Sequence, residues 1–344
     1  MANHPKTLYT YLSKYRSELM GIAILWVVWF HSELEPGVFP IKTINNILGF
    51  IKKTGYGGVD IFLLLSGMGL YNSISHNTIA GYLGNRLKRI LPTWWILYLI
   101  TAILETKLLD IHYSAKELLG GITLTGFLTQ LSKQGNWYVS FIMVIYLIAP
   151  IFYSLFRESK NKSVTCAVLM VITLLISVAF WGDDGRLTGM SRLPIFVLGM
   201  YISSERDKIK INHKTIIALS GLLIIGVALL NRCLSFNWDT RWHYGLWWYP
   251  FILITPGLAL LLALLLEKTS KACKHLQTIL RSCGEASLEL LIISEFIVIH
   301  SVELIEFTMP HGLFVFLSII VSGVLAIAFH YAIERACCRL LTAS

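Results

Sequence analysis

His31, Asp60 and the pair Arg86 and Arg89 stand in or beside apolar stretches, where an ionisable side chain is costly and marks a functional site by default. His31 closes the run that begins at Leu19, and Asp60 follows Gly57-Gly58-Val59 and leads into a second apolar run containing Ser66-Gly67. Arg86, Lys88 and Arg89 precede Ile90-Leu91-Pro92 and a third run. The chemistry available to these types is definite. An imidazole titrating near neutrality takes a proton from a hydroxyl. A carboxylate at the mouth of a cavity orients such a ring and favours its charged form. Two guanidinium groups three residues apart share a helix face and suit a phosphate-bearing anion better than ammonium groups do.

Each feature also has a plain structural reading, and the residues alone leave both open. His31 is followed by Ser32, Glu33 and Pro36, the last expected to end its helix at the outer interface. Asp60 suits the N-cap of a helix, and Arg86, Lys88 and Arg89 suit ordinary anchoring at an inner membrane surface. Ser66-Gly67 reads as a close helix-packing contact more readily than as a nucleophile. Trp137-Tyr138-Val139-Ser140 reads first as part of an aromatic belt. The cluster Trp238, Trp242, His243, Tyr244, Trp247, Trp248 and Tyr249 is denser than a belt requires, and flat aromatic faces of this kind suit stacking on sugar rings. Glu285, Glu289 and Glu295 fall at the start of a late apolar run, and Glu295, expected at membrane depth, needs a partner, for which Arg192 is the candidate.

The elements that must position these groups are read from hydropathy. Of 344 residues, 55% are hydrophobic and 14% charged, and the mean hydropathy is +0.65, so the chain is an all-α polytopic membrane protein. Apolar stretches near 18–34, 57–73, 90–105, 137–156, 164–181, 189–203, 214–230, 244–266, 285–303 and 312–334 predict a transmembrane bundle of about ten spans. Residues 118–131 are expected to form a re-entrant or interfacial piece. Most of the 29 basic residues fall on alternate connections, which predicts that both termini are cytoplasmic. If Arg16 lies at the inner surface, the fifteen residues to His31 carry the imidazole about 22 Å toward the outside.

The formal net charge of +9 is spread over loop ends rather than gathered on one face, so it argues for a membrane surface and against nucleic acid. The six cysteines form no disulfide framework, although Cys337-Cys338 would suit palmitoylation in a eukaryote. No metal is expected. No linker divides the chain, so residues 1–344 read as a single membrane domain, and no inverted repeat of the transporter kind is visible. A transporter or exporter, or a non-catalytic membrane module, would share the hydrophobic profile.

The motifs together resemble acyltransferase family 3, the integral-membrane enzymes that O-acylate surface polysaccharides and related acceptors. The resemblance is carried by Arg16-Ser-Glu-Leu-Met-Gly through His31, Gly58-Val-Asp60-Ile-Phe with Ser66-Gly67, Arg86-x-x-Arg89-Ile-x-Pro92 and Trp137-Tyr-x-Ser140 with Tyr146 and Pro150. Gly284-x-x-Ser287 and Tyr331-x-x-Glu334 also fit. It implies transfer of an acyl group, commonly acetyl from acetyl-CoA, to a hydroxyl of a cell-envelope glycan or similar acceptor, in a bacterial cytoplasmic membrane. His31 and Asp60 would be catalytic, Arg86, Arg89 and Arg16 would bind the donor, and Trp137, Ser140 and Trp242 would face the acceptor. Two positions depart from the pattern. The family usually carries an Arg eleven residues before the His, where this chain has Met20, and Arg16 one turn earlier is expected to substitute. A late Tyr-Leu-x-His pattern is replaced by Leu291 and Ser294.

Overall fold

The computed structural model describes residues 7–32, 34, 41–129, 137–299 and 311–342. Pro36 and the side chains of Cys337 and Cys338 lie outside the described residues, as do the last two positions of the expected re-entrant piece. The described chain is helical, with α1 (Leu8–Lys14), α2 (Arg16–His31), α3 (Lys42–Lys53), α4 (Gly58–Ser75), α5 (Ile79–Leu108), α6 (Ala115–Ile122), α7 (Gly126–Thr129) and α8 (Trp137–Glu158). There follow α9 (Lys162–Val178), α10 (Asp184–Met190), α11 (Leu193–Ser204), α12 (His213–Cys233), α13 (Trp238–His243) and α14 (Phe251–Thr269). The last are α15 (Lys274–Glu285), α16 (Ser287–Ser294), continued by a π-helical turn at 295–299, and α17 (His311–Thr342). Side-chain caps start several of them: Asn161, Asn212 and Asn237 each accept a hydrogen bond from the backbone N–H three residues on, at 3.2, 2.9 and 2.7 Å.

Among the described residues, six helical segments are long and apolar enough to cross a membrane: Gly55–Ser75, Ile79–Leu108, Trp137–Glu158, His213–Cys233, Phe251–Thr269 and Gly312–Arg335. The other expected passes fall on shorter helices. α2 has 16 residues, about 24 Å at 1.5 Å per residue against a hydrocarbon core of about 30 Å. α9 has 17, and the stretch 189–203 is interrupted at Ser191-Arg192 between α10 and α11. Of the stretch 118–131, the described residues to 129 form two short helices, α6 and α7, joined where Leu124 adopts φ 57°.

The chain divides into two compact units: Met1–Arg16, Asp60–Arg86 and Lys116–Ala272 form the first, and Ser17–Val59, Leu87–Ala115 and Cys273–Ser344 the second. In the first unit α4 packs on α11 through glycines. A Cβ on Gly67 would overlap the Phe196 carbonyl and stand 3.1 Å from the Gly199 Cα, and one on Gly199 would overlap the Leu64 carbonyl. Ser66-Gly67 therefore includes the close packing contact expected of it. α12 and α14 meet in the same manner, at Gly226 against Ile254 and Gly257 against Leu219. In the second unit α2 is buried along Leu19, Ala23, Ile24, Val27 and Val28, and Gly21 admits the backbone of α15 at Leu280.

Candidate active site

The first unit is organised around a buried ion pair. Asp60, third residue of α4, is fully buried, and Arg192, just before α11, is 1% exposed. Arg192 Nη1 donates to Asp60 Oδ2 at 2.8 Å, and its Nε donates to the Thr188 carbonyl at 3.1 Å. The guanidinium lies over two indole rings, Trp137 at 5.7 Å and Trp248 at 5.9 Å, where cation–π attraction supports a desolvated cation. Asp60 Oδ1 is buried with no hydrogen-bond partner among the described residues. These facts revise two sequence readings. Asp60 sits inside the first turn of α4 rather than at its N-cap, because a 3-10 turn at Gly55–Gly57 precedes the helix. Arg192, the candidate partner of Glu295, pairs with Asp60 within the first unit.

Two of the expected acceptor-side residues connect to this pair, Trp137 directly and Trp242 through Trp248. Trp248 also packs at a tilt on Trp242 at 5.2 Å, so Trp137, Arg192, Trp248 and Trp242 form one contiguous series. Trp238 and Trp247 extend it, at 5.6 and 6.3 Å from Trp242, and Arg241 lies 4.2 Å over Trp247. Ser140, one turn along α8 from Trp137, is buried. Tyr138 packs edge-on to Trp137 at 5.9 Å and against Phe62 of α4 at 6.2 Å. Arg16 packs against Gly69, where an added Cβ would meet its guanidinium, so α4 leaves room there for the cation. Arg86 lies 6.0 Å over the Tyr82 ring, its Nε buried without a hydrogen-bond partner among the described residues, and the Tyr82 hydroxyl donates to the Tyr146 carbonyl at 3.2 Å.

The second unit holds His31 and Arg89. His31 ends α2, exposed, with its ring edge-on to Phe30 at 4.9 Å. Phe30 in turn packs edge-on to Tyr56 at 5.4 Å. Arg89 is exposed on α5, one turn before the buried Thr93. Sequence reasoning missed a third constellation here. Glu289, 4% exposed on α16, takes a 3.0 Å hydrogen bond from His330 Nδ1 on α17 and a weaker 3.4 Å one from the Thr93 hydroxyl. His330 Nε2 stands 3.6 Å from Glu334 Oε1. The signal was available, since His330 is an ionisable residue inside an apolar stretch, the rule that singled out His31. Further along, Glu18 of α2 is 1% exposed and accepts from Arg281 Nε at 3.0 Å and Nη2 at 2.5 Å.

Among the described residues no group of three or more His, Cys, Asp or Glu side chains is placed to hold a metal ion. Residues 19–334 match the model of an acyltransferase domain, that of acyltransferase family 3. The chain belongs to that family. No curated protein and no solved structure matches it significantly. With its long apolar helices, the protein is in general terms a membrane acyltransferase. Of the residues singled out in this acyltransferase, His31, Asp60, Arg86, Arg89, Trp137, Ser140 and Trp242 lie inside the matched range, and Arg16 precedes it.

Proposed function

We propose that this acyltransferase moves an acetyl group from cytoplasmic acetyl-CoA to a hydroxyl of a cell-envelope glycan. The family match over residues 19–334 carries the reading. In the proposed reaction the acceptor hydroxyl oxygen attacks the thioester carbonyl carbon, forming the ester C–O bond as the C–S bond breaks. The hydroxyl proton passes to the His31 imidazole and then to the departing thiolate, so no net proton is gained or lost. Asp60 is the second catalytic residue of this reading. Arg86 and Arg89, on consecutive turns of α5, are its phosphate-binding residues, with Arg16 a further cation for the donor.

The acceptor is assigned to the series Trp137, Trp248 and Trp242, with Ser140, because indole faces suit the apolar faces of sugar rings. Arg192 lies over two of these rings, so the series is joined rather than a set of separate rings. About ten passes with both termini in a bacterial cytoplasm, and one domain over residues 1–344, belong to the same proposal, supported by hydropathy and by the placement of Lys and Arg.

The test is transfer of labelled acetyl from acetyl-CoA to envelope glycans in membranes holding wild type or the double variant Arg86→Ala/Arg89→Ala. Label in wild type, with a donor requirement raised at least tenfold in the double variant, is the expected result. Absence of label with well-folded wild-type protein and a broad glycan pool would remove the acetyl-CoA reading. Substrate flux into liposomes without any acyl donor would replace it with transport.

A further inference from the structure

We infer that His330, anchored by Glu289, is a phosphate-binding residue that works beside Arg89. The inference rests on the reading that a CoA thioester is the donor. Glu289 is buried, and its carboxylate is held by two groups from different helices, His330 Nδ1 at 3.0 Å and the Thr93 hydroxyl at 3.4 Å. A carboxylate on one ring nitrogen fixes the imidazole orientation and leaves Nε2 toward whatever lies beyond. What lies beyond is already an anion, the Glu334 carboxylate at 3.6 Å, longer than a hydrogen bond.

The Glu334 side chain is 62% exposed, so a better acceptor displaces it without opening the core. Arg89 supplies the second cation: it lies one turn before Thr93 on the same face of α5, and Thr93 itself donates to Glu289. The cluster thus joins a buried carboxylate, the imidazole it holds and an exposed carboxylate, with a guanidinium one turn along α5 from Thr93. An incoming phosphate that takes the place of Glu334 gains a guanidinium and an imidazolium N–H at once.

The phosphate chemistry has two sources, the 3′-phosphate and diphosphate of CoA or the headgroup of a phospholipid, and the proposal commits to CoA. The experiment uses the full chain purified in a maltoside detergent, which carries no phosphate. Binding of labelled CoA and of 3′-dephospho-CoA is measured for wild type, His330→Gln, His330→Arg and Glu289→Gln, each checked for a monodisperse profile. His330→Gln keeps a donor for Glu289 but loses the charge, and is expected to bind CoA about tenfold or more weakly. His330→Arg, which retains a cationic donor, is expected to recover much of that loss. A smaller His330→Gln effect with 3′-dephospho-CoA would place the 3′-phosphate on His330, and an equal effect would place the diphosphate there.

Unchanged CoA affinity in a monodisperse His330→Gln protein would overturn the inference while leaving the acetyl-CoA reading standing. Should that variant instead lose co-purifying phospholipid by native mass spectrometry, the phosphate would be a lipid's and the CoA assignment would be wrong. Wild-type protein that binds neither nucleotide would remove the donor reading itself, and this inference with it.

Discussion

Replacing Arg192 is expected to cost more stability than replacing Asp60, although the two form one ion pair. The contact is 2.8 Å between groups that are both almost completely buried. At an effective dielectric of about 20 the gross attraction at that separation is about 6 kcal/mol, most of which offsets the desolvation of both charges. What decides the cost of a single variant is the charge left behind. Arg192→Gln leaves the Asp60 carboxylate buried, with Oδ1 already lacking a partner among the described residues, so the expected loss is about 3–5 kcal/mol.

Asp60→Asn keeps an oxygen acceptor, and the guanidinium left behind still donates to the Thr188 carbonyl and lies over two indole rings. Its expected loss is nearer 2 kcal/mol. The variant Asp60→Asn/Arg192→Gln removes both charges and retains a neutral amide pair, so it is expected to be more stable than Arg192→Gln alone. Reversible unfolding of the full chain in mixed micelles measures all four corners of the cycle. A coupling energy below about 0.5 kcal/mol, or a larger loss for Asp60→Asn than for Arg192→Gln, would refute the reasoning. The same four proteins separate structure from chemistry. If Asp60 is catalytic, the double variant regains stability without regaining acyl transfer.

His31→Ala is expected to abolish acyl transfer while leaving the apparent unfolding midpoint close to wild type, because the ring is exposed at the end of α2; transfer at the wild-type rate would remove His31 from the mechanism. Gly67→Leu is expected to cost about 3 kcal/mol or to prevent insertion, since a side chain there meets the α11 backbone, whereas Gly84→Ala, with nothing within 4 Å, is expected to be neutral or to stabilise α5 by up to about 1 kcal/mol. Yields of monodisperse protein and unfolding midpoints compare the two. Arg281→Ala strands the Glu18 carboxylate, but the Arg281 side chain is 58% exposed, so water reaches the site and the expected loss is only about 1–2 kcal/mol; Glu18→Gln/Arg281→Ala should recover most of it.

The all-helical membrane class was legible because apolar runs of about twenty residues admit few other solutions. His31 and Asp60 were legible for a related reason: the solvent makes an ionisable side chain conspicuous. The partners of such groups were not. Arg192 is 132 residues from Asp60 in sequence, and nothing in its neighbourhood distinguishes Asp60 from Glu295 as its counter-charge. Hydropathy pointed to Glu295 because both residues looked deep, yet depth says nothing about which helix faces which.

The same gap hid Glu289 and His330, 41 residues apart on α16 and α17, each noticeable alone and informative only together. Helix ends were similarly opaque. The run 189–203 reads as one apolar stretch, but the chain turns at Ser191-Arg192, and that break allows Arg192 to direct its guanidinium toward Asp60 instead of lying along a helix face. For a chain in lipid, hydropathy therefore identifies the costly residues, and tertiary packing determines which residues neutralise one another. The interruption at Arg192 connects these two levels, because a local loss of helix is what brings one costly residue to another.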